Sequence, residues 1–164
     1  MTKFLSTCTA APLIFSVWSV PAYAQMPNPI GMSIQIDAAK RAAAAAVAEA
    51  KKNNWTMAVA IVDPAGDLVY FEKVDGTQPA SVNVAVDKAR SAARFKRPTK
   101  AFQDVLAAGG EGLRLLALQG AVPVEGGVPL VSDGKIVGAG YAGGGLALAR
   151  CDATGALDPT FGTG

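Results

Sequence analysis

The sequence predicts an α/β fold of the α+β kind, an antiparallel sheet flanked by helices. Two turn sequences, Asp63-Pro-Ala-Gly-Asp67 and Asp133-Gly134, each lie between short apolar runs and so indicate hairpins. Two longer segments, near 38–52 and 80–96, have the composition and apolar spacing of helices. Because hairpins join antiparallel strands, two hairpins with helices between them favour an antiparallel sheet over a parallel one.

The first 24 residues are typical of a secretory signal peptide. Lys3 precedes a mostly apolar stretch over 4–20, and small residues lead to a cleavage site after Ala24. A membrane anchor is the alternative, but a spanning helix needs about 20 uninterrupted apolar residues, and prolines interrupt this stretch. We therefore expect an exported protein, periplasmic or secreted, with no stable membrane insertion after cleavage.

Removing 24 of the 164 residues leaves 140, which suits one domain. We place the domain at 25–139, with a loose leader over 25–31, and assign 140–164 to a glycine-rich tail. Cys151 would be the one cysteine left, so the mature chain cannot form an internal disulfide. The net charge of +2, without a basic stripe or a stacking platform of aromatic residues, argues against a nucleic-acid partner.

The first helix and strand are expected to pack on each other. Asp37 is the predicted N-cap of an alanine-rich helix over 38–52. The branched apolar run over 56–62 indicates a buried strand, which returns over 68–74. Since Ala58 and Ala60 give this strand one face of small residues, we expect the alanine-rich helix to dock there.

The second helix begins near Pro79 and ends before Pro98. Asp87, Arg90 and Arg94 share a polar stripe, while Lys88 lies apart from it. The predicted apolar face comprises Val82, Ala85, Val86, Ala89, Ala92 and Ala93.

The second half of the chain contains a short helix and a second hairpin. Thr99 is the predicted cap of a helix over 100–107, and the apolar segment 113–118 is left unassigned. Prolines and glycines over 122–131 indicate a bend followed by a strand. Asp133-Gly134 then predicts a type I′ turn, so we expect a hairpin over 128–139.

Two segments, Lys88 to Thr99 and Val124 to Gly138, together resemble the GlcG/HbpS-like haem-binding family, a haem-degrading, DUF336-type family. The resemblance covers roughly 33–139 and implies a profilin-like sandwich, homo-oligomers, and binding of haem or another tetrapyrrole. After Gly138 the sequence departs from the family pattern. A frameshift in the gene near Gly145 is one hypothesis for the departure.

The resemblance implies a ligand pocket where the loop Glu125-Gly126-Gly127 faces the helix of Lys88. The candidate ligand-binding residues are therefore Lys88, Arg94, Glu125, Gly126 and Gly127. For Lys88 and Arg94 the competing interpretation is a solvated helix face, with Asp87 and Arg90 forming an ion pair. For the glycines the competing interpretation is a bend that glycine alone tolerates.

The chemistry is constrained by the absence of histidine, the commonest protein ligand of haem iron. Iron ligation by the mature chain would fall to Tyr70, Tyr141, Met57 or Cys151, or to no residue of the chain at all. Otherwise the sequence contains no metal-site pattern, and we assign no catalytic residue. Beside a binding protein for haem, the alternatives are an isomerase or lyase using Lys88 or Glu125 as proton carrier, and a non-catalytic structural oligomer.

Overall fold

The computed structural model describes residues 29–142, so the predicted signal peptide over 1–24 and the part of the predicted tail from 143 onward lie outside the described residues. In chain order the elements are α1 (Ile36–Lys52), β1 (Ala58–Val62), β2 (Leu68–Lys73), α2 (Ser81–Phe95), α3 (Lys100–Ala107), a 3-10 helix (Gly110–Ala117), β3 (Gly127–Ser132) and β4 (Lys135–Ala142). Within 29–142, none of the helices has the length and apolar character needed to span a bilayer.

The four strands form one antiparallel sheet, as predicted. Their order in the sheet is β2-β1-β4-β3. The second hairpin closes with Ser132 paired to Lys135. Asp133 and Gly134 have φ of 49° and 71°, as a type I′ turn requires, so this turn prediction is confirmed. The return strand extends past the predicted end at 139 to Ala142.

The two faces of β1 pack against different helices, and the predicted pairing is wrong. Ala58 and Ala60 pack on α2, not on the alanine-rich α1. The reason is that α2 also presents small residues, so its backbone can approach the small face closely: Ala85, Ala89, Ala92 and Ala93. The alanines of α1 instead leave room for the larger side chains of the opposite face, Met57, Val59 and Ile61.

The helix termini differ from the predictions in three places. Asp37 is not the N-cap, because α1 already begins at Ile36; its carboxylate lies in the first turn, where it interacts favourably with the helix dipole. Val82 is 36% exposed, since burial along α2 begins one turn later at Ala85. The end of α2 is set by Lys96, which adopts a left-handed conformation with φ of 53° before Pro98 is reached.

The segment over 29–34 is hydrogen-bonded to β4, so the described part of the expected loose leader is held in place. Gly31 N donates to Ile136 O and Ile136 N to Pro29 O, each at 2.8 Å, and Ile34 N donates to Val137 O at 2.8 Å. The pairing of β1 with β4 stops at Val62 and Ala139. The N-terminal segment therefore occupies the edge of β4 beyond the end of β1.

Candidate functional site

The predicted loop lies directly against α2. Lys88 Nζ donates to the carbonyl oxygen of Glu125 at 3.0 Å, and the amide of Val122 donates to Ser91 Oγ at 3.1 Å. Lys88 and Ser91 are three residues apart, so both lie on the same side of the helix. One face of α2 thus holds both ends of the stretch between 122 and 125.

The same loop is also held by α3. The amide of Glu125 donates to Gln103 Oε1 at 2.9 Å. Thr99 Oγ1 accepts from Gly127 N at 3.0 Å, and Thr99 N donates to Gly127 O at 2.9 Å. Thr99 does occupy the position before the first residue of α3, as predicted, but its side chain does not cap the helix. Its hydroxyl is hydrogen-bonded to the loop instead. Together these contacts hold the loop over 122–127, called here the 122–127 loop.

Lys88 is buried, so its interpretation as a solvated side chain is wrong. It is 6% exposed, because the 122–127 loop covers it. Burial lowers the pKa of the Lys88 ammonium by disfavouring its charged form, while the Glu125 carboxylate partly opposes that shift. The site therefore contains a positive charge in a poorly solvated position beneath the loop.

Gly126 and Gly127 of the loop are required for two different reasons. Gly126 has φ of 116°, a conformation that side chains rarely adopt. Gly127 has no such conformation; a Cβ there would lie 2.8 Å from the Lys88 carbonyl carbon and 2.9 Å from Thr99 Cγ2. Gly126 thus allows the bend, and Gly127 allows the close approach of the loop to α2.

Arg94 is not part of this cluster. Its Nε donates to Ala65 O at 2.8 Å, and Arg90 Nε donates to Gly66 O at 3.2 Å. Both side chains therefore hold the turn between β1 and β2. The predicted ion pair between Arg90 and Asp87 is confirmed, with 3.4 Å between Nη1 and Oδ1. The structure brings Lys88 together with Glu125, Gly126 and Gly127, and leaves Arg94 at a different contact.

Sequence reasoning missed the roles of Ser91, Thr99 and Gln103. For Ser91 a signal existed, since a hydroxyl among the buried alanines of α2 needs a hydrogen-bond partner. For Gln103 the local sequence held no such signal, because a glutamine on a short amphipathic helix is ordinarily a surface residue.

The described candidates for iron ligation are poorly suited to it. Met57 is 1% exposed and packs in the core beneath α1. Tyr70 Oη donates to Glu72 Oε2 at 3.0 Å, and this hydrogen bond raises the pKa of Tyr70, which disfavours the tyrosinate that would bind iron. The Tyr141 side chain and Cys151 lie outside what the structure describes. Across 29–142, no three His, Cys, Asp or Glu side chains converge as a metal site would require.

The amino-acid sequence is similar to those of several known proteins. Residues 34–152 match the sequence model of a family described as "Haem degrading protein HbpS-like". Protein GlcG of Escherichia coli strain K12 is 36% identical over 96 residues, covering 58% of this chain and 70% of GlcG. An uncharacterised 15.0 kDa protein of Citrobacter freundii is 31% identical over 129 residues, covering 77% of this chain and 91% of that protein.

The fold is also found in solved structures. A double mutant of HbpS from Streptomyces reticuli superposes with a TM-score of 0.63 at 27% identity, covering 85% of this chain and 88% of that one. The predicted sandwich of helices on an antiparallel sheet is therefore confirmed by the strand pairing, by the packing of α1 and α2 on the two faces of β1, and by this similarity.

Proposed function

Because this chain belongs to the haem-degrading, HbpS-like family, we propose that it binds haem or a related tetrapyrrole at the 122–127 loop. The observation that carries the proposal is the Lys88 ammonium beneath the Glu125 carbonyl. A positive charge in a poorly solvated position acts on a nearby anion with less screening than one in water. A ligand carboxylate approaching the loop is the group that this charge would attract.

Apolar side chains border the same position. Val84, one helical turn before Lys88, is 40% exposed, and Val124, next to Glu125, is 48% exposed. Exposed apolar side chains beside a buried charge suit a planar ligand that is apolar in its body and acidic at its edge, as tetrapyrroles with carboxylate side chains are. A bound haem would supply the redox chemistry of its iron. Lys88, Val84 and Val124 fit the periphery of such a ligand, whereas Met57 and Tyr70 do not fit an axial position on iron.

An absorbance titration with haemin tests the proposal. We expect a saturable shift of the Soret band with the parent chain, and a loss of about tenfold or more in affinity for Lys88→Met, because a charge-assisted contact contributes about 1.5–3 kcal/mol. Lys40→Met is the control, since Lys40 is exposed on α1. Metal-free protoporphyrin should bind with similar affinity. An unshifted Soret band with the parent, or equal affinity for Lys88→Met and the control, contradicts the proposal.

A second candidate is an isomerase or lyase in which Lys88 carries a proton. The lowered pKa of the buried Lys88 amine favours it, because a base works best when its pKa is near the operating pH. The haemin titration separates the two, since an enzyme for a small substrate has no reason to bind a tetrapyrrole with fixed stoichiometry.

We also propose that the protein is exported. The support is the signal-peptide pattern that ends at Ala24. Mass spectrometry of the chain recovered from the periplasm or medium should find Gln25 as the first residue. Retention of the uncleaved chain inside the cell would contradict export.

Self-association is proposed on a separate observation. The 3-10 helix presents Leu113 and Leu116, which are 55% and 69% exposed. Adjacent exposed apolar side chains of this size are typical of surfaces that pack against another chain. Light scattering should give the mass of a homodimer or larger oligomer, and a monomer at micromolar concentration would contradict the proposal.

A further inference from the structure

In the 122–127 loop, the main-chain amide and carbonyl groups of Glu125 are hydrogen-bonded to side chains from two different helices. Gln103 of α3 accepts from the Glu125 amide, and Lys88 of α2 donates to the Glu125 carbonyl. Both bonds go to the main chain of the loop. The conformation of the loop at Glu125 is thus fixed by side chains that the loop itself does not carry.

Gln103 is placed on a firmly packed part of α3. The neighbouring Phe102 is 4% exposed, and its ring meets that of Phe95 edge-on with 5.2 Å between centroids. Thr99, just before α3, makes two hydrogen bonds to Gly127. An amide oxygen carried by a packed helix is a stiffer support for the loop than one carried by a mobile segment.

We propose that Gln103 is a positioning residue of the ligand site. It accepts the hydrogen bond of the Glu125 amide, so that the loop keeps its conformation when a ligand carboxylate contacts the Lys88 ammonium. The inference rests on the proposed function. A ligand carboxylate near Lys88 would compete with the Glu125 carbonyl for the ammonium. The hydrogen bond that the Glu125 amide donates to Gln103 does not involve that ammonium, so it stays in place while the ligand binds.

Two variants separate positioning from general stability. Gln103→Met keeps the length of the side chain but removes the acceptor, whereas Gln103→Glu keeps an acceptor for the Glu125 amide. Gln119→Met, at an exposed glutamine, is the matched control. Hydrogen–deuterium exchange of peptides covering 122–127 is measured for all four chains, and haemin affinity for the parent, Gln103→Met and Gln119→Met. The Glu variant is compared by exchange alone because its added charge would act on an anionic ligand.

We expect faster exchange in the 122–127 loop for Gln103→Met, restoration in Gln103→Glu, and a five- to tenfold loss of haemin affinity for Gln103→Met, roughly the effect of one hydrogen bond. Exchange elsewhere in the chain should not change. Unchanged loop exchange in Gln103→Met overturns the inference, as does unchanged haemin affinity in that variant when the parent binds. If the parent itself binds no haemin, the proposed function fails, and loop exchange alone then decides whether Gln103 positions the loop.

Discussion

Lys88 illustrates how a charged side chain comes to be buried in a helix face made of alanines. Its aliphatic stem can lie along apolar surface, and its ammonium reaches the Glu125 carbonyl. The contact satisfies a donor, but the charge still loses hydration. Lys88 therefore supplies the site with a positive charge, and the lost hydration of that charge lowers the stability of the folded protein.

The stability of the protein should depend on pH through Lys88. Its folded pKa is below the unfolded value of about 10.5, so between those two values the unfolded chain binds more protons and the free energy of unfolding rises with pH. The cost of the charged ammonium is fully present below the folded pKa and gone above the unfolded one. Urea unfolding across this window should show the parent gaining stability relative to Lys88→Met. The prediction is contradicted if the free energy of unfolding changes with pH by the same amount in the parent and in Lys88→Met.

Glu125→Gln should tighten the binding of an anionic ligand. The hydrogen bond to Asp104 is the main reason that the pKa of Lys100 is raised, but the Glu125 carboxylate adds to it, and it acts on Lys88 as well. Removing this negative charge should raise haemin affinity about two- to fivefold at low salt, the scale of an exposed charge interaction. The gain should shrink as salt is added. Glu111→Gln is the control, and a gain of equal size there would show a non-specific charge effect.

At the scale of elements, the contact between β3 and α2 depends on Gly127. An alanine there would place its Cβ too close to the Lys88 backbone. Gly127→Ala should therefore destabilise the fold by about 3 kcal/mol, at the upper end for an overpacked site. Gly120→Ala is the comparison: Gly120 has φ of 83° and no atom within 4 Å of an added Cβ, so about 1 kcal/mol is expected. Equal losses in urea unfolding would show that backbone conformation, and not close approach, decides both positions.

The helices and strands could be predicted from the sequence better than which helix packs on which face of the sheet. The hairpin turn at Asp133-Gly134 was readable because its conformation follows from local chemistry. The helix that covers Ala58 was not, because α1 and α2 are both rich in alanine and the choice depends on long-range packing. For the site, the pairing of Lys88 with the Glu125 loop followed from the resemblance, whereas Gln103 joins it only through the tertiary fold.

For the whole molecule, the N-terminal segment should contribute to stability through its hydrogen bonds to β4. A chain beginning at Gln35 loses the three hydrogen bonds that join Pro29, Gly31 and Ile34 to β4. We expect it to be about 1–3 kcal/mol less stable than a chain beginning at Pro29, since each bond contributes about 1 kcal/mol. Equal midpoints in urea unfolding would show that the segment merely lies on the sheet.

The position of β4 has a consequence for how the chain is made. This strand is the last of the four to be synthesised, yet it lies inside the sheet, between β1 and β3. Until it leaves the ribosome, β1, with all five residues destined for burial, has only β2 beside it and presents an unpaired apolar edge. Such an edge readily pairs with other chains. The nascent protein is therefore most exposed to aggregation until β4 has emerged, and a chaperone that binds extended apolar segments would act in that interval.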